Sequence, residues 1–375
     1  VNSLGLRGTY PVTVGFDRRL LQNVDWLLLA AVLGLIVMSA TTLTSLNIGR
    51  TGGAVMLRQL LWVAIGTVAL IVIASVDYRR SVRLAPLLYL VGLGGLVAVL
   101  MLGRTVSGAR RWISLGTVSV QPSEFFKICF LLMLVWLLTS RWAQPVTPAV
   151  LAAAVPIVAM PFLLIVRQPD LGTALMLYPL LIALLVAAGT RLRLLGGFVL
   201  VCLATLPVAW LALRDYQRER IMVYLDPFRD PLGTAYNVIQ AKIAIGSGQL
   251  LGKGIAGATQ SRLAFLPERH TDFIFAVFAE MWGFVGCLVL LACYGLLLLR
   301  GFEIAAAARE PTGRLVALGV TSLLGIQMLI NVGMVTGLLP VVGIPLPFMS
   351  YGGSSMLVSM AALGLLLSVR MRQFQ

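Results

Sequence analysis

The sequence predicts an all-α fold: a polytopic integral membrane bundle of about ten transmembrane helices, with one long extracytoplasmic loop and a re-entrant loop. Three observations carry this. Of 375 residues, 59% are hydrophobic and 11% charged, and a mean hydropathy of +0.96 exceeds what a water-solvated surface of this size tolerates. Apolar stretches long enough to cross a bilayer recur along the whole chain. The 17 Pro and 37 Gly would fragment soluble helices, whereas in a membrane bundle neighbouring helices satisfy the freed backbone groups.

The predicted spans cover residues 26–43, 60–76, 85–102, 124–139, 149–166, 172–189, 194–213, 273–299, 315–335 and 355–369. An even number of spans puts both termini on one side. The short loops there carry Arg79, Arg80, Arg83, Arg141, Arg191, Arg193, Arg300, Arg309 and Arg314, while Arg18, Arg19, Arg370 and Arg372 flank the ends. That excess of cations makes the side cytoplasmic. The expected organisation begins with a cytoplasmic segment over 1–25, in part an expression remnant, since VNSLGLRGTYPVTVGF has neither an apolar signal core nor a cleavage motif. Spans one to seven occupy 26–213, the long extracytoplasmic loop 214–272, spans eight to ten 273–369, and a cytoplasmic tail 370–375. No low-complexity tract or internal repeat stands out.

A net charge of +15 raises nucleic acid as a partner, but about half the cations belong to the inward side, where bilayer topology explains them. No nucleic-acid partner is expected. The opposite side is also basic: Arg104, Arg110 and Arg111 in one loop, and Arg214, Arg218, Arg220, Arg229, Lys242, Lys253, Arg262 and Arg269 in the long one. These outward cations need another reason, and loops of that length are usually functional.

Ionisable residues in or beside apolar spans are costly and point to function. They are Glu124 and Lys127 on span four, Asp170 before span six, Asp272 opening span eight, and Glu280 within it. Glu124 and Lys127 share a helix face, either as an internal ion pair holding the bundle or as part of a site. Asp272 stands where the long loop re-enters the membrane; it reads first as a helix N-cap, suited to the positive end of the dipole, and second as a reactive acid. Glu280, eight residues on, lies about 80° around the helix from Asp272, so direct pairing is not expected. His270 is the only histidine, and Cys129, Cys202, Cys287 and Cys293 lie in apolar runs without CxxC spacing, so structural zinc or haem is not expected. His270 reads as a hydrogen-bonded interfacial residue. The run Gly246–Gly254 fails as a P-loop, since its spacing is wrong and Gly254 stands where Ser or Thr is needed; its amides and Lys253 either face an anion or form a simple turn. The uncharged segment Pro340–Ser355, with three prolines, reads as a re-entrant loop lining a cavity.

Five ordered stretches resemble the SEDS family (shape, elongation, division and sporulation), whose members are polytopic peptidoglycan glycosyltransferases. They are Gly108-Ala109-Arg110-Arg111-Trp112-Ile113, Gln121-Pro122-Ser123-Glu124 with Lys127, Gln168-Pro169-Asp170-Leu171-Gly172-Thr173, Pro267-Glu268 through Asp272-Phe273, and Gly343-Ile344-Pro345-Leu346-Pro347-Phe348 with Ser350-Tyr351-Gly352-Gly353-Ser354. The resemblance covers essentially the whole chain. It departs at Met281, where the family commonly has a second Glu after Ala279-Glu280. The short N-terminus looks more like the elongation members than the division members.

The resemblance implies polymerisation of lipid II, a disaccharide-pentapeptide on undecaprenyl diphosphate, into glycan strands at the outer leaflet of the bacterial plasma (inner) membrane during elongation and rod-shape maintenance. It implies Asp272 as the catalytic residue. Glu124, Lys127 and Asp170 would shape the cavity, Arg110, Arg111, Lys253, Arg262 and Arg269 would hold the diphosphate or the glycan, and His270, Ser350 and Tyr351 would complete the substrate contacts. A base must take the acceptor proton and cations must hold the leaving diphosphate, which departs without a general acid, so one carboxylate suffices. The sequence requires no cofactor; a divalent cation, Mg or Mn, positioned at Asp272 is compatible, and no metal ligands are assigned. Expected partners are a class B penicillin-binding transpeptidase, whose single span would pack on Gly and Ala of spans eight and nine, other elongation-complex membrane proteins, and membrane lipid. Two other functions compete: a lipid II flippase, disfavoured because Lys127 is the one clear cation within a span, and a non-catalytic scaffold of the wall-synthesis complex.

Overall fold

A chain segment in hydrocarbon has no water to bond its amides and carbonyls, so it closes those bonds internally as helix. The computed structural model describes residues 23–46, 53–106, 109–116, 118–140, 146–204, 215–226, 235–258 and 268–373. Among them, 8 helices are long and apolar enough to cross a membrane. These are α1 (Trp26–Ser45), α2 (Gly53–Ser75), α4 (Ala85–Leu102), α5 (Pro122–Thr139), α6 (Pro148–Arg167), α12 (Ile274–Ala307), α13 (Pro311–Thr336) and α14 (Gly353–Arg372); a short α3 (Tyr78–Arg83) joins α2 to α4. The apolar α7 (Leu171–Ala187) is 17 residues long, and α8 (Leu192–Ala204) is described over 13. Each predicted span overlaps one of these helices, and residues 205–213 of the seventh lie outside the described residues.

Two connections are more ordered than the sequence reading expected. Between α4 and α5 lies a three-stranded antiparallel sheet, β1 (Arg104–Val106), β2 (Ala109–Leu115) and β3 (Val118–Val120), in the order β1-β2-β3, with Arg104 opposite Trp112 and Ile113 opposite Val120. Its outer strands have three residues each, too few for a two-residue alternation to register in the sequence. The stretch 214–272 contains α9 (Asp215–Leu225), α10 (Tyr236–Ser247) and α11 (Gly254–Gly257) among the described residues. The loop is docked rather than loose: the Tyr224 hydroxyl donates to Leu338 O at 2.9 Å, and the Lys242 side chain lies over Gly337, the left-handed C-cap of α13. A cation at that helix end complements its dipole.

α14 is the centre of the bundle, with 83% of its apolar window buried, whereas only 11% of the window on α2 is. Leu57, Leu61, Ile65, Val68 and Val72 of α2 face outward, an arrangement that suits lipid as solvent. α2 packs chiefly on α14, and small residues permit the approach: a Cβ on Gly364 would meet Leu70 O at 2.8 Å, and one on Gly353 would meet the Trp62 ring at 2.3 Å. At the end of the bundle away from Asp272, ionic contacts tie helix ends together. Asp25 caps α1 by accepting from Leu28 N and pairs with Arg300 at 2.6 Å, joining the start of α1 to α12. Burial works to raise the Asp25 carboxyl, but the Arg300 hydrogen bonds and the Leu28 amide outweigh it and hold the group below its ordinary range. Arg79 grips Glu310 with two bonds of 2.8 and 2.9 Å, and Arg372 donates to Ala74 O and Ser75 O at the end of α2.

Gly364→Val places branched carbons against the α2 backbone and is expected to destabilise the protein by about 1–3 kcal/mol. A thermal melt in detergent checks this, and an unchanged midpoint would show that α2 is not held on α14 at this point.

Candidate functional site

The segment joining α13 to α14 carries no charge, yet its stretch Ile344–Ser350 is largely buried among helices, so its polar backbone must find partners there. Side chains from four helices supply them. Ser39 of α1 donates to Met349 O at 2.6 Å, Gln59 of α2 to Ser350 O at 3.4 Å, Asn331 of α13 to Ile344 O at 2.7 Å, and the Tyr294 hydroxyl of α12 to Pro347 O. Ile344, Leu346, Phe348 and Met349 fill the space beneath. Phe348 sits at φ 63, a left-handed conformation costly for a bulky residue and sustained by this packing.

The same segment grips the turn that opens α12. Tyr351 N donates to His270 O at 2.9 Å, Ser350 Oγ to Thr271 O at 2.6 Å, and Asn331 Nδ2 to Asp272 O at 2.9 Å, so three successive carbonyls are held. Ser350 Oγ also accepts from Leu346 N at 2.8 Å, which occupies its hydroxyl in positioning. The Asp272 carboxylate lies against Gly343: a Cβ there would be 3.2 Å from Oδ2, and Gly343 has φ +71. Asp272 is half-buried. The N-cap reading of Asp272 is corrected, because Phe273 occupies that position and no side-chain cap bond is made. The turn closes through Thr271 N and Phe273 N donating to Glu268 O, which leaves Asp272 one residue ahead of the cap.

On the other side of the segment lies a second polar group. Asp170 caps α7 by accepting from Thr173 N at 3.3 Å, and its Oδ2 accepts from Gln121 Nε2 at 3.2 Å and Ser123 Oγ at 3.3 Å. Strand β2 alternates its side chains, leaving Arg110 exposed while Arg111 turns in to Pro169 O and to Asp170, 3.9 Å away. Gly172 brings α7 under the segment, since a Cβ would be 2.3 Å from Val342 O, and Gln121 N donates to Ser354 Oγ at 3.0 Å. Glu124 and Lys127 form the expected pair at 2.7 Å, both buried. The Oε2 of Glu124 is buried with no hydrogen-bond partner among the described residues.

Of the remaining residues singled out from sequence, Arg269, His270 and Tyr351 are half-buried around Asp272, and Arg262 lies outside the described residues. Lys253 lies 3.6 Å from Glu280, inside α12. The His270 imidazole is pushed below its ordinary value by burial and then by Arg269. Sequence reasoning missed Ser39, Gln59, Tyr294 and Asn331, which hold the segment; Gln59 and Asn331, neutral amides within apolar helices, were the available signal. No group of three or more His, Cys, Asp or Glu able to hold a metal is found among the described residues. A cleft of about 390 Å³ beside Arg83, Trp136 and Thr312 opens at the far end of α13, about 29 Å along the helix from Asn331 and Asp272.

A family model described as cell cycle protein, covering FtsW, RodA and SpoVE, matches residues 21–375. The peptidoglycan glycosyltransferase MrdB of Escherichia coli (strain K12) is 44% identical over 348 residues, covering 92% of this chain and 93% of that one. Stage V sporulation protein E of Bacillus subtilis (strain 168) is 39% identical over 317 residues, 83% and 86% of the two chains. Among solved structures, a chain from work on structural coordination of polymerization and crosslinking by a peptidoglycan synthase complex superposes with TM-score 0.79 at 34% identity, covering 94% of this chain and 99% of that. The rod shape determining protein RodA of Thermus thermophilus superposes with TM-score 0.71 at 31% identity, covering 94% and 98%.

Because the lowered His270 value favours the neutral ring in the folded state, the unfolded chain takes up a proton first as pH falls from the ordinary value of 6.5. This contribution to stability is complete above 6.5 and is lost as pH falls toward the folded value. Melting in detergent is therefore expected to weaken below that pH, with a shallower slope in His270→Gln; identical slopes in the two proteins would remove His270 as the cause.

Proposed function

The chain belongs to the FtsW, RodA and SpoVE family of cell cycle proteins, and on that premise we propose that it is a peptidoglycan glycosyltransferase that polymerises lipid II, with Asp272 as its general base. The observation that carries this reading is the fixing of Asp272. Three consecutive carbonyls, at His270, Thr271 and Asp272, are tied to an uncharged buried segment, and the carboxylate rests over a glycine that leaves it room. A carboxylate so held loses little to reorganisation when it takes a proton.

In the reaction, an acceptor sugar hydroxyl oxygen attacks the anomeric carbon of the donor, and its proton passes to the Asp272 carboxylate. The bond from that carbon to the lipid diphosphate breaks, and the diphosphate leaves with the electron pair. Arg110, Arg111 and Arg269 supply the positive charge for the departing group, and His270 and Tyr351, half-buried beside Asp272, complete the substrate contacts. Glu124, Lys127 and Asp170 are buried and shape the surroundings, while Ser350, expected as a substrate contact, is buried with its hydroxyl engaged by Leu346 N and Thr271 O and acts on the turn instead. A Mg or Mn ion held at Asp272 would add positive charge beside the diphosphate; proton transfer and diphosphate binding rest on the chain's own residues.

The charge distribution supports a multi-pass protein of the bacterial inner membrane with cytoplasmic termini and an outward site: Arg79, Arg80, Arg83, Arg309 and Arg314 lie at the end away from Asp272. A class B penicillin-binding transpeptidase is the proposed partner, in line with the synthase complex to which one matching structure belongs. The similarity to MrdB and to RodA supports a place in elongation and rod-shape maintenance. A flippase is less well supported, because Lys127, the cation that the sequence places within a span, is already paired with Glu124.

Asp272→Asn is expected to lower glycan synthesis from purified lipid II by at least about 100-fold, assayed in detergent with and without the transpeptidase. Wild-type polymerisation by that variant would end the reading.

A further inference from the structure

α12 is written as one helix, but it is broken at Gly283, whose φ of 64 and ψ of −162 are not helical. An unbroken helix would bond Phe284 N to Glu280 O and Val285 N to Met281 O. Instead Phe284 N donates to Gln249 O at 2.8 Å and Val285 N to Leu250 O at 3.1 Å, while Glu280 O accepts from Lys253 N at 3.0 Å. The loop after α10 has been spliced into the helix, and its backbone satisfies the groups that the break frees. Glycines make the splice sterically feasible. A Cβ on Gly252, at φ +80, would be 2.1 Å from Met281 O; one on Gly248 would be 2.1 Å from Ala279 O; and one on Gly283 would be 2.3 Å from Gly252 N. The Gly-rich run of the sequence is thereby accounted for without a phosphate.

One charged contact spans the splice. Glu280 is fully buried, and Lys253 Nζ reaches its Oε1 at 3.6 Å from the loop side, where the lysine is part-exposed. Lys253 thus meets Glu280 through both its amide and its ammonium. The half-helix Ile274–Trp282 follows directly from Asp272, and its far end is fastened to the loop, which leads back through α10 to α12 and α13. Glu280 is buried while Lys253 approaches it from the exposed side, so the contact ties an outer loop residue to a carboxylate inside the helix, and loss of either member weakens that tie.

We infer that Lys253 and Glu280 are positioning residues for glycosyl transfer: together they seat the half of α12 that follows the Asp272 turn against the extramembrane loop, and Lys253 acts through Glu280 rather than on the substrate. The inference rests on Asp272 being the base. It assigns the loop a definite function, because the position of α10 and of residues 248–253 then sets where the carboxylate lies relative to the acceptor hydroxyl.

The test is steady-state polymerisation of purified lipid II by the full chain with its transpeptidase, comparing Lys253→Met, Glu280→Gln, the double variant and Lys253→Arg, with Asp272→Asn alongside. Each single variant is expected to lower kcat about 10-fold with KM for lipid II unchanged, since a small misplacement of a reacting group is felt in the chemical step. The double variant is expected to fall no further, because both changes break one contact. It also removes both members of the pair together, so it gives a readable protein if a single variant fails to fold. Lys253→Arg is expected to recover most of kcat. A raised KM with retained kcat in Lys253→Met would make the lysine a substrate contact and overturn the inference, as would multiplicative losses or wild-type kcat in the double variant. Full activity in Asp272→Asn would overturn the catalytic reading itself, whereas loss there with normal kcat in the Lys253 and Glu280 variants would overturn this inference alone.

Discussion

The structure depends on the hydrogen bonding of one uncharged segment, the connection between α13 and α14. Its backbone lies among apolar helices, where each unsatisfied amide or carbonyl would cost several kcal/mol, about as much as the net stability of many domains. Ser39, Gln59, Tyr294 and Asn331 meet that demand from four helices at once. Because the donors come from α1, α2, α12 and α13, satisfying the segment also fixes how those helices sit around it.

Rigidity at the site follows from the same bonds. Asn331 uses one amide to hold both Ile344 O and Asp272 O, and Ser350 uses one hydroxyl to hold both Leu346 N and Thr271 O. The turn bearing Asp272 is therefore not an independent loop but an extension of the buried segment. Asp170 and Arg111 stand on its other flank, reached through Gly172 beneath Val342. The segment thus separates two polar groups, each carrying a carboxylate with a defined environment: Asp170 is enclosed by donors, and Asp272 is left half-open.

Charge is divided between the two ends of the bundle according to different needs. At the Asp25 and Glu310 end, carboxylates are taken up by Arg300 and Arg79 and tie helix termini together. At the Asp272 end, Lys127 within α5 is taken up by Glu124, and the other cations come from a strand and from the loop that crosses α12, elements that stand outside the apolar spans. The break at Gly283 belongs to this division. It lets one apolar helix serve as a membrane span below and as a loop-anchored support for the site above.

The amino-acid sequence by itself determined the helical class, the order of the apolar helices among the described residues, the Glu124–Lys127 pair and the identity of the acidic residues at the outward end. These are local properties: hydropathy over about 20 residues, a three-residue helical spacing, and the cost of a charge near hydrocarbon. It did not determine that Asp272 precedes the cap instead of being it, that Arg111 turns inward while Arg110 stays exposed, or that α12 is interrupted. Each of those rests on a contact between residues far apart in the chain: Thr271 with Ser350, Arg111 with Asp170, Phe284 with Gln249. Neutral polar side chains such as Ser39 and Asn331 carry no pattern that distinguishes a structural donor from an idle one, because their partners are backbone carbonyls that exist in every residue. Only the tertiary structure decides which carbonyl comes within reach, and that choice places the carboxylate.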